Sequence, residues 1–250
     1  MRIKIKAYLD QEVKLPYSLN YPVSSYFYQM ITLADRELGD WLHQEGLRYH
    51  GRTYKPIVFS EVFFEHRVHL PSFMKVKGKV WIYVDSIQER IIKCLVEGIW
   101  KTGFLQLKDV QMLIQDIEVV PKPVFVHCMK YETLSPLVVP IQRNQKLHYC
   151  HPLESQFYDQ LRRSIRNWYY LKWKEELAQE EAIHIRLLQP EQFQMRKASV
   201  LHTYKQKKIK GYHLSLEIEA PPKVQQVFYE AGAGSLSSQG WGMLQERRSE

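Results

Sequence analysis

One order of hydrophobic patterns, met twice along the chain, constrains the fold more than anything in its composition. Ile3, Ile5 and Ala7 alternate with Arg2, Lys4 and Lys6, the period-two signature of a strand with one solvated face. After "LPYSLNYP", Ser24 or Ser25 is expected to cap a helix on which Phe27, Met30, Ile31, Ala34, Leu38, Trp41 and Leu42 recur at helical spacing, with a break at Asp35 or Gly39. Residues 54–70 and "GKVWIYVDS" are rich in β-branched and aromatic residues and read as two strands joined at "KVKGK". "IQERIIKCLVEGIWKTG" sets Ile91, Leu95 and Ile99 on one helical face, with Gly103 placed to end it, and "FLQLKDVQMLIQDIEVV" is strand material.

The order is βαββαβ, and beyond Pro121 and Pro123 it begins again. "VFVHCMKYETLSPLVV" reads as a strand and residues 154–181 as a long helix. "AIHIRLLQ", "ASVLHTYKQ" and "GYHLSLEIEA" supply strands, Pro221 and Pro222 open a helix, and "WGMLQ" is a short final strand. The chain is therefore expected to be an α+β protein of two tandem ferredoxin-like (RRM-like) βαββαβ domains with antiparallel sheets, residues 1–121 and 122–250. A length of 250 residues suits two domains.

Lys and Arg number 35 against 27 Asp and Glu, a net charge of +8, which suits a polyanionic partner as well as plain solubility. The three cysteines, Cys94, Cys128 and Cys150, include no CxxC pair, so neither a disulfide framework nor a zinc ribbon is indicated and a reducing cytoplasm fits. No apolar run approaches membrane-spanning length, so no membrane is expected as a partner.

Near the C-terminus, "EAGAGSLSSQGWGM" contains Gly232, Gly234, Gly240 and Gly242 in the pattern GxGxxxxxGxG. It matches neither a Walker loop nor a dinucleotide fingerprint, and it follows a helix. Glycine pairs permit close backbone approach, and Ser235, Ser237 and Ser238 with the loop amides could meet phosphate oxygens. The alternative is a connection packed against the sheet.

"GAGSLSSQGWG" resembles the C-terminal glycine-rich signature of the repeat-associated RNA-binding superfamily of CRISPR proteins. The rest, with "LPYSLNYPVSSYFYQMI", "WLHQEG", "KPIVFS" and the "LSP" of Ser135 and Pro136, resembles its processing endoribonuclease. The resemblance covers nearly the whole chain and implies two ferredoxin-like domains, cleavage of CRISPR precursor RNA within its repeats without a metal or other cofactor, and repeat RNA as partner. Other interference-complex subunits and a homodimer stand as further possible partners. A catalytically inactive RNA-binding or scaffold subunit of the same superfamily is the alternative.

By the same resemblance, His43, Tyr28 and Lys55 match a histidine, tyrosine and lysine that carry the family's chemistry. The reaction has use for them: a 2′-hydroxyl must lose a proton as it attacks the adjacent phosphorus, and the departing 5′-oxygen must gain one. An imidazole, with an ordinary pKa of about 6.5, exchanges protons near neutrality. A lysine can hold charge gathering on the phosphate, a role commonly worth about 3 kcal/mol for one well-placed donor. Which of His43 and Tyr28 is base and which acid stays open. A histidine near a helix end can also serve the last carbonyls, Tyr28 can be packing, and Lys55 can be a solvated strand entrance.

Residues 196–210 hold Arg196, Lys197, Lys205, Lys207, Lys208 and Lys210 and no acidic residue, across an expected hairpin that could lie along a phosphate backbone. Arg162, Arg163 and Arg166 on the long helix are further phosphate candidates, while Phe157, Leu161, Ile165 and Trp168 follow core spacing. His66 and His69, three apart on a strand, point to opposite faces and suit no shared metal; His148, Cys150 and His151 form a denser group that lacks an evident fourth ligand, so no metal site is expected.

Overall fold

A computed structural model describes residues 1–178 and 181–247 of the chain. Two compact units divide it: one comprises Met1–Pro121 together with Ser238–Gly240, the other Lys122–Ser237 together with the segment from Trp241 on.

In the first unit the order is β1 (Ile3–Leu15), α1 (Asn20–Ala34), α2 (Arg36–Gln44), β2 (Leu47–Tyr49), β3 (Arg52–Tyr54), β4 (Val58–Phe59), β5 (Phe63–His69), β6 (Met74–Asp85), α3 (Glu89–Thr102), β7 (Phe104–Leu107) and β8 (Val110–Val119). The sheet runs β4-β6-β1-β8-β7, with β5 also on β6, and every pairing is antiparallel. The first and third strands of a βαββαβ unit thus lie in the middle, as a ferredoxin-like sheet requires. The alternation read from the first residues holds: Ile3, Ile5, Ala7 and Leu9 are buried and join Phe27, Ile31, Ile91, Leu95 and Ile99 in one core.

The first helix begins at Asn20, so neither Ser24 nor Ser25 caps it; Ser24 lies a turn inside and is buried. Its hydroxyl donates to the Ser238 carbonyl (3.0 Å), and Asn20 Nδ2 donates to the carbonyls of Gln239 (3.0 Å) and Gly240 (2.9 Å), which is why these three loop residues belong with this unit. The expected turn at "KVKGK" is also corrected. Val76 is buried while Lys77 and Lys79 are exposed, so the segment continues β6, and the chain reverses at residues 70–73, where Leu70 N donates to the Phe73 carbonyl (3.0 Å). Gly103 ends α3 at φ 74 as expected.

The second unit contains β9 (Cys128–Thr133), β10 (Pro140–Arg143), β11 (Lys146–Tyr149), α4 (Ser155–Trp173), β12 (His184–Leu187), α5 (Met195–Ala198), β13 (Ser199–Tyr204), β14 (Lys207–Tyr212), β15 (Ser215–Glu219), α6 (Pro222–Ala231) and β16 (Leu244–Glu246). Its sheet order, β12-β15-β9-β16, repeats the ferredoxin-like arrangement. The predicted strand at 124–139 shrinks to β9, because Leu134, Leu137, Val138 and Val139 are buried successively and not alternately. The long helix stops at Trp173, with Lys174 left-handed at φ 59, and residues 179 and 180 of its predicted extent lie outside the described residues. Periodicity did not reveal the β10–β11 hairpin, whose strands are four residues each.

Candidate active site

The site is built where α1 stops. Asp35 adopts an extended conformation (φ −146°, ψ 103°) that a continuous helix cannot hold, and its carboxylate accepts the Leu38 N–H (3.0 Å) as N-cap of α2. That N–H, followed by the Arg90 guanidinium from α3, holds the Asp35 carboxyl below the usual range. Leu38 and Leu42 are buried and anchor α2, leaving His43 exposed in its last turn. The β2–β3 hairpin turns at His50 and Gly51, both at positive φ (46° and 69°), and the returning strand delivers Lys55 beside the helix end.

Three side chains distant in sequence meet here. The Lys55 ammonium donates to the His43 carbonyl and lies 5.5 Å from the centre of the Tyr28 ring. The Tyr28 ring stands edge-on to the His43 imidazole, centroids 5.8 Å apart and planes at 87°. A cation at a helix C-terminus and over an aromatic face is favourable on both counts. Of the two breaks the sequence offered, the chain uses Asp35 and not Gly39; the pairing of Asp35 with Arg90 from α3 is the part that sequence reasoning missed.

The glycine loop is a packed segment. Gly232, Gly234, Gly240 and Gly242 all have positive φ, between 77° and 85°. A Cβ on Gly242 would sit 2.0 Å from the Ala233 carbonyl oxygen, and one on Gly240 would sit 2.4 Å from the Phe59 ring. The amides of Ala233, Ser235 and Gly242 donate to the carbonyls of Gly242 (2.8 Å), Val138 (2.9 Å) and Pro136 (2.9 Å). Those donors are therefore committed to the fold, while Ser235, Ser237 and Ser238 are half-buried.

Of the basic candidates, Lys205, Lys207, Lys208 and Lys210 are exposed on the β13–β14 hairpin, which turns tightly at Lys205 and Gln206 with both φ positive. Arg196 and Lys197 are exposed too, but on the short helix α5 that precedes the hairpin. Arg163 is exposed and Arg162 pairs with Asp159. Arg166 holds the chain beyond α4, donating to the carbonyls of Leu177 (3.1 Å), Ala178 (3.2 Å) and Glu181 (2.9 Å), a structural use for its guanidinium. Phe157, Leu161, Ile165 and Trp168 are core, as their spacing implied. Among the described residues no helix is long and apolar enough to cross a membrane.

A family model described as "CRISPR associated protein Cas6, C-terminal" matches residues 120–246, and one described as "CRISPR-associated protein Cas6, N-terminal" matches residues 14–118. The chain is 24% identical over 238 residues to a CRISPR-associated endoribonuclease Cas6 of Pyrococcus furiosus, covering 94% of this chain and 84% of that protein. It is 20% identical over 249 residues to a second such protein, from Methanocaldococcus jannaschii, covering 98% and 92%. A solved structure of a Cas6-related protein of Pyrococcus furiosus superposes with a TM-score of 0.85 at 23% identity, covering 100% of this chain and 99% of the other. Another, described as a RAMP protein binding different RNA substrates, superposes with a TM-score of 0.82 at 21% identity over 99% and 100%.

Proposed function

The chain belongs to the Cas6 family of CRISPR-associated proteins, and from that premise we propose that it is an endoribonuclease that cuts CRISPR precursor RNA within its repeats to release guide RNAs. The observation that carries the reading is the convergence of His43, Tyr28 and Lys55 at the end of α2.

The proposed reaction is an internal transfer that needs no metal, because this set of groups can move both protons and hold the charge. One of His43 and Tyr28 removes the proton of the 2′-hydroxyl, the freed oxygen forms a bond to the adjacent phosphorus, and the bond to the 5′-oxygen breaks. The other gives its proton to that leaving oxygen. The products are a 2′,3′-cyclic phosphate and a 5′-hydroxyl. Lys55 supports the charge on the non-bridging oxygens, its position set by the helix-end carbonyl. The β13–β14 lysines with Arg162, Arg163, Arg196 and Lys197 hold the phosphate backbone, and the loop hydroxyls of Ser235, Ser237 and Ser238 are its polar contacts; Gly232, Gly234, Gly240 and Gly242 shape that loop.

The test is incubation with repeat RNA in excess chelator. Site-specific cutting to a cyclic phosphate is expected, falling about 10³-fold in His43→Ala with RNA affinity retained. Binding without cutting by the unaltered protein would identify an RNA-binding scaffold instead.

A further inference from the structure

We propose that His148, Cys150 and Glu154 form a binding site for a divalent metal ion of the zinc class, in the second unit and sharing no residue with the proposed active site. The donor atoms of the three lie within 4.8 Å of one another. His148 Nε2 is 3.2 Å from Glu154 Oε1. Zinc bonds of about 2.1 Å place neighbouring tetrahedral ligands roughly 3.4 Å apart, so the imidazole and carboxylate already stand at ligand spacing.

The local sequence explains the convergence. His148 lies on β11 and Cys150 two residues on, where extended chain returns side chains to the same face. The Cys150 N–H donates to the Val139 carbonyl (2.9 Å), and the Glu154 N–H to the His151 carbonyl (2.9 Å), closing a tight loop that brings the carboxylate back. Glu154 Oε1 also accepts the His151 backbone N–H (3.0 Å) and faces His151 Nε2 at 3.3 Å. Because His151 Nδ1 accepts the Leu153 N–H (3.2 Å), its Nε2 carries the proton and donates to the carboxylate, which orients that ligand and leaves His151 outside the ligand set. Arg143 lies 3.4 Å from the other oxygen, Oε2. Among the described residues Cys128, Glu217 and Glu219 are similarly close, but they include no imidazole.

The donor set is one thiol, one imidazole and one carboxylate, which favours zinc over magnesium or calcium. On binding, the thiol proton passes to solvent as sulfur bonds the metal, the His148 proton resides on Nδ1, and a water completes the coordination. The ion would tie the end of β11 to the start of α4.

The test uses the untagged full chain, stripped with chelator, dialysed and titrated with Co²⁺, then with zinc in competition. One equivalent of Co²⁺ should raise a thiolate-to-cobalt charge-transfer band that zinc abolishes, and Cys150→Ser should remove the band. Absence of saturable binding, or a band that persists in Cys150→Ser, overturns the site. Since Cys150 is buried, a second variant, His148→Ala, removes a ring at the surface. With native circular dichroism retained, its Co²⁺ affinity should fall about 10-fold or more, and an unchanged affinity equally overturns the proposal.

Discussion

The two units share one sheet order and differ in what interrupts it. The first inserts α2 and the β2–β3 hairpin between its opening helix and its next long strand, and there an imidazole meets a phenol and an ammonium. The second inserts the β10–β11 hairpin before its opening helix, and there two imidazoles face a carboxylate and a neighbouring thiol. The same ring in the same scaffold therefore acquires opposite chemistry from its neighbours. A cationic, neutral-acid surrounding suits an incoming phosphodiester, whereas a carboxylate repels one and draws cations. The shared sheet supplies the support, and both proposed sites lie on the insertions.

Placing a carboxylate in the first site breaks that contrast most severely. Lys55→Glu is expected to lower the cleavage rate about 10³-fold, and Lys55→Ala about 10²-fold, with near-native circular dichroism in both; equal rates for the two would mean that the charge at this position does not act on the phosphate. Next in size is a contrast between glycines. Gly242→Ala, in the second unit, meets the Ala233 carbonyl at 2.0 Å and carries a φ of +79°, so a loss of about 3 kcal/mol is expected in urea denaturation. Gly103→Ala, in the first unit, has φ +74° but no heavy atom within 4 Å of the added carbon, and about 1 kcal/mol is expected. Similar losses at both sites would show that backbone conformation, and not close approach, governs the loop.

The smallest effect compares buried phenols. Burial pushes Tyr26 in the first unit up to about 12, with the Thr102 hydroxyl acting the other way; in the second unit burial, followed by the Glu175 carboxylate, pushes Tyr169 up to about 12. Both folded values exceed the ordinary phenol value, so their stabilisation is complete below pH about 10 and is lost as pH rises from there through about 12. Phenylalanine at either position should flatten the fall of the urea midpoint over that window; an unchanged fall in Tyr26→Phe would place the alkaline sensitivity elsewhere.

Much of this molecule is legible in local pattern. The doubled βαββαβ order, the core faces of α1, α3 and α4, the end of α3 at Gly103 and the opening of α6 at the proline pair all follow from periodicity and from the φ preferences of Gly and Pro. The errors have equally local causes. "KVKGK" carries turn residues, yet its alternation places Val76 inward, and pairing with β1 overrode the propensity. The bonds from Arg166, a phosphate candidate in sequence, to the carbonyls of Leu177 and Glu181 are a structural use that no local pattern signals.

The chain's amino-acid order alone determined the doubled βαββαβ succession and the core faces of its main elements, because spacing along a helix or strand decides which side chains share a face, while the residues offered for proton transfer came from the resemblance to a known family. Only the tertiary structure decided that His43, Tyr28 and Lys55 would be neighbours. Their meeting depends on a helix break at Asp35, on the turn at His50 and Gly51, and on the packing of α2 through Leu38 and Leu42. Such long-range closure is set by packing and register, which no local period encodes.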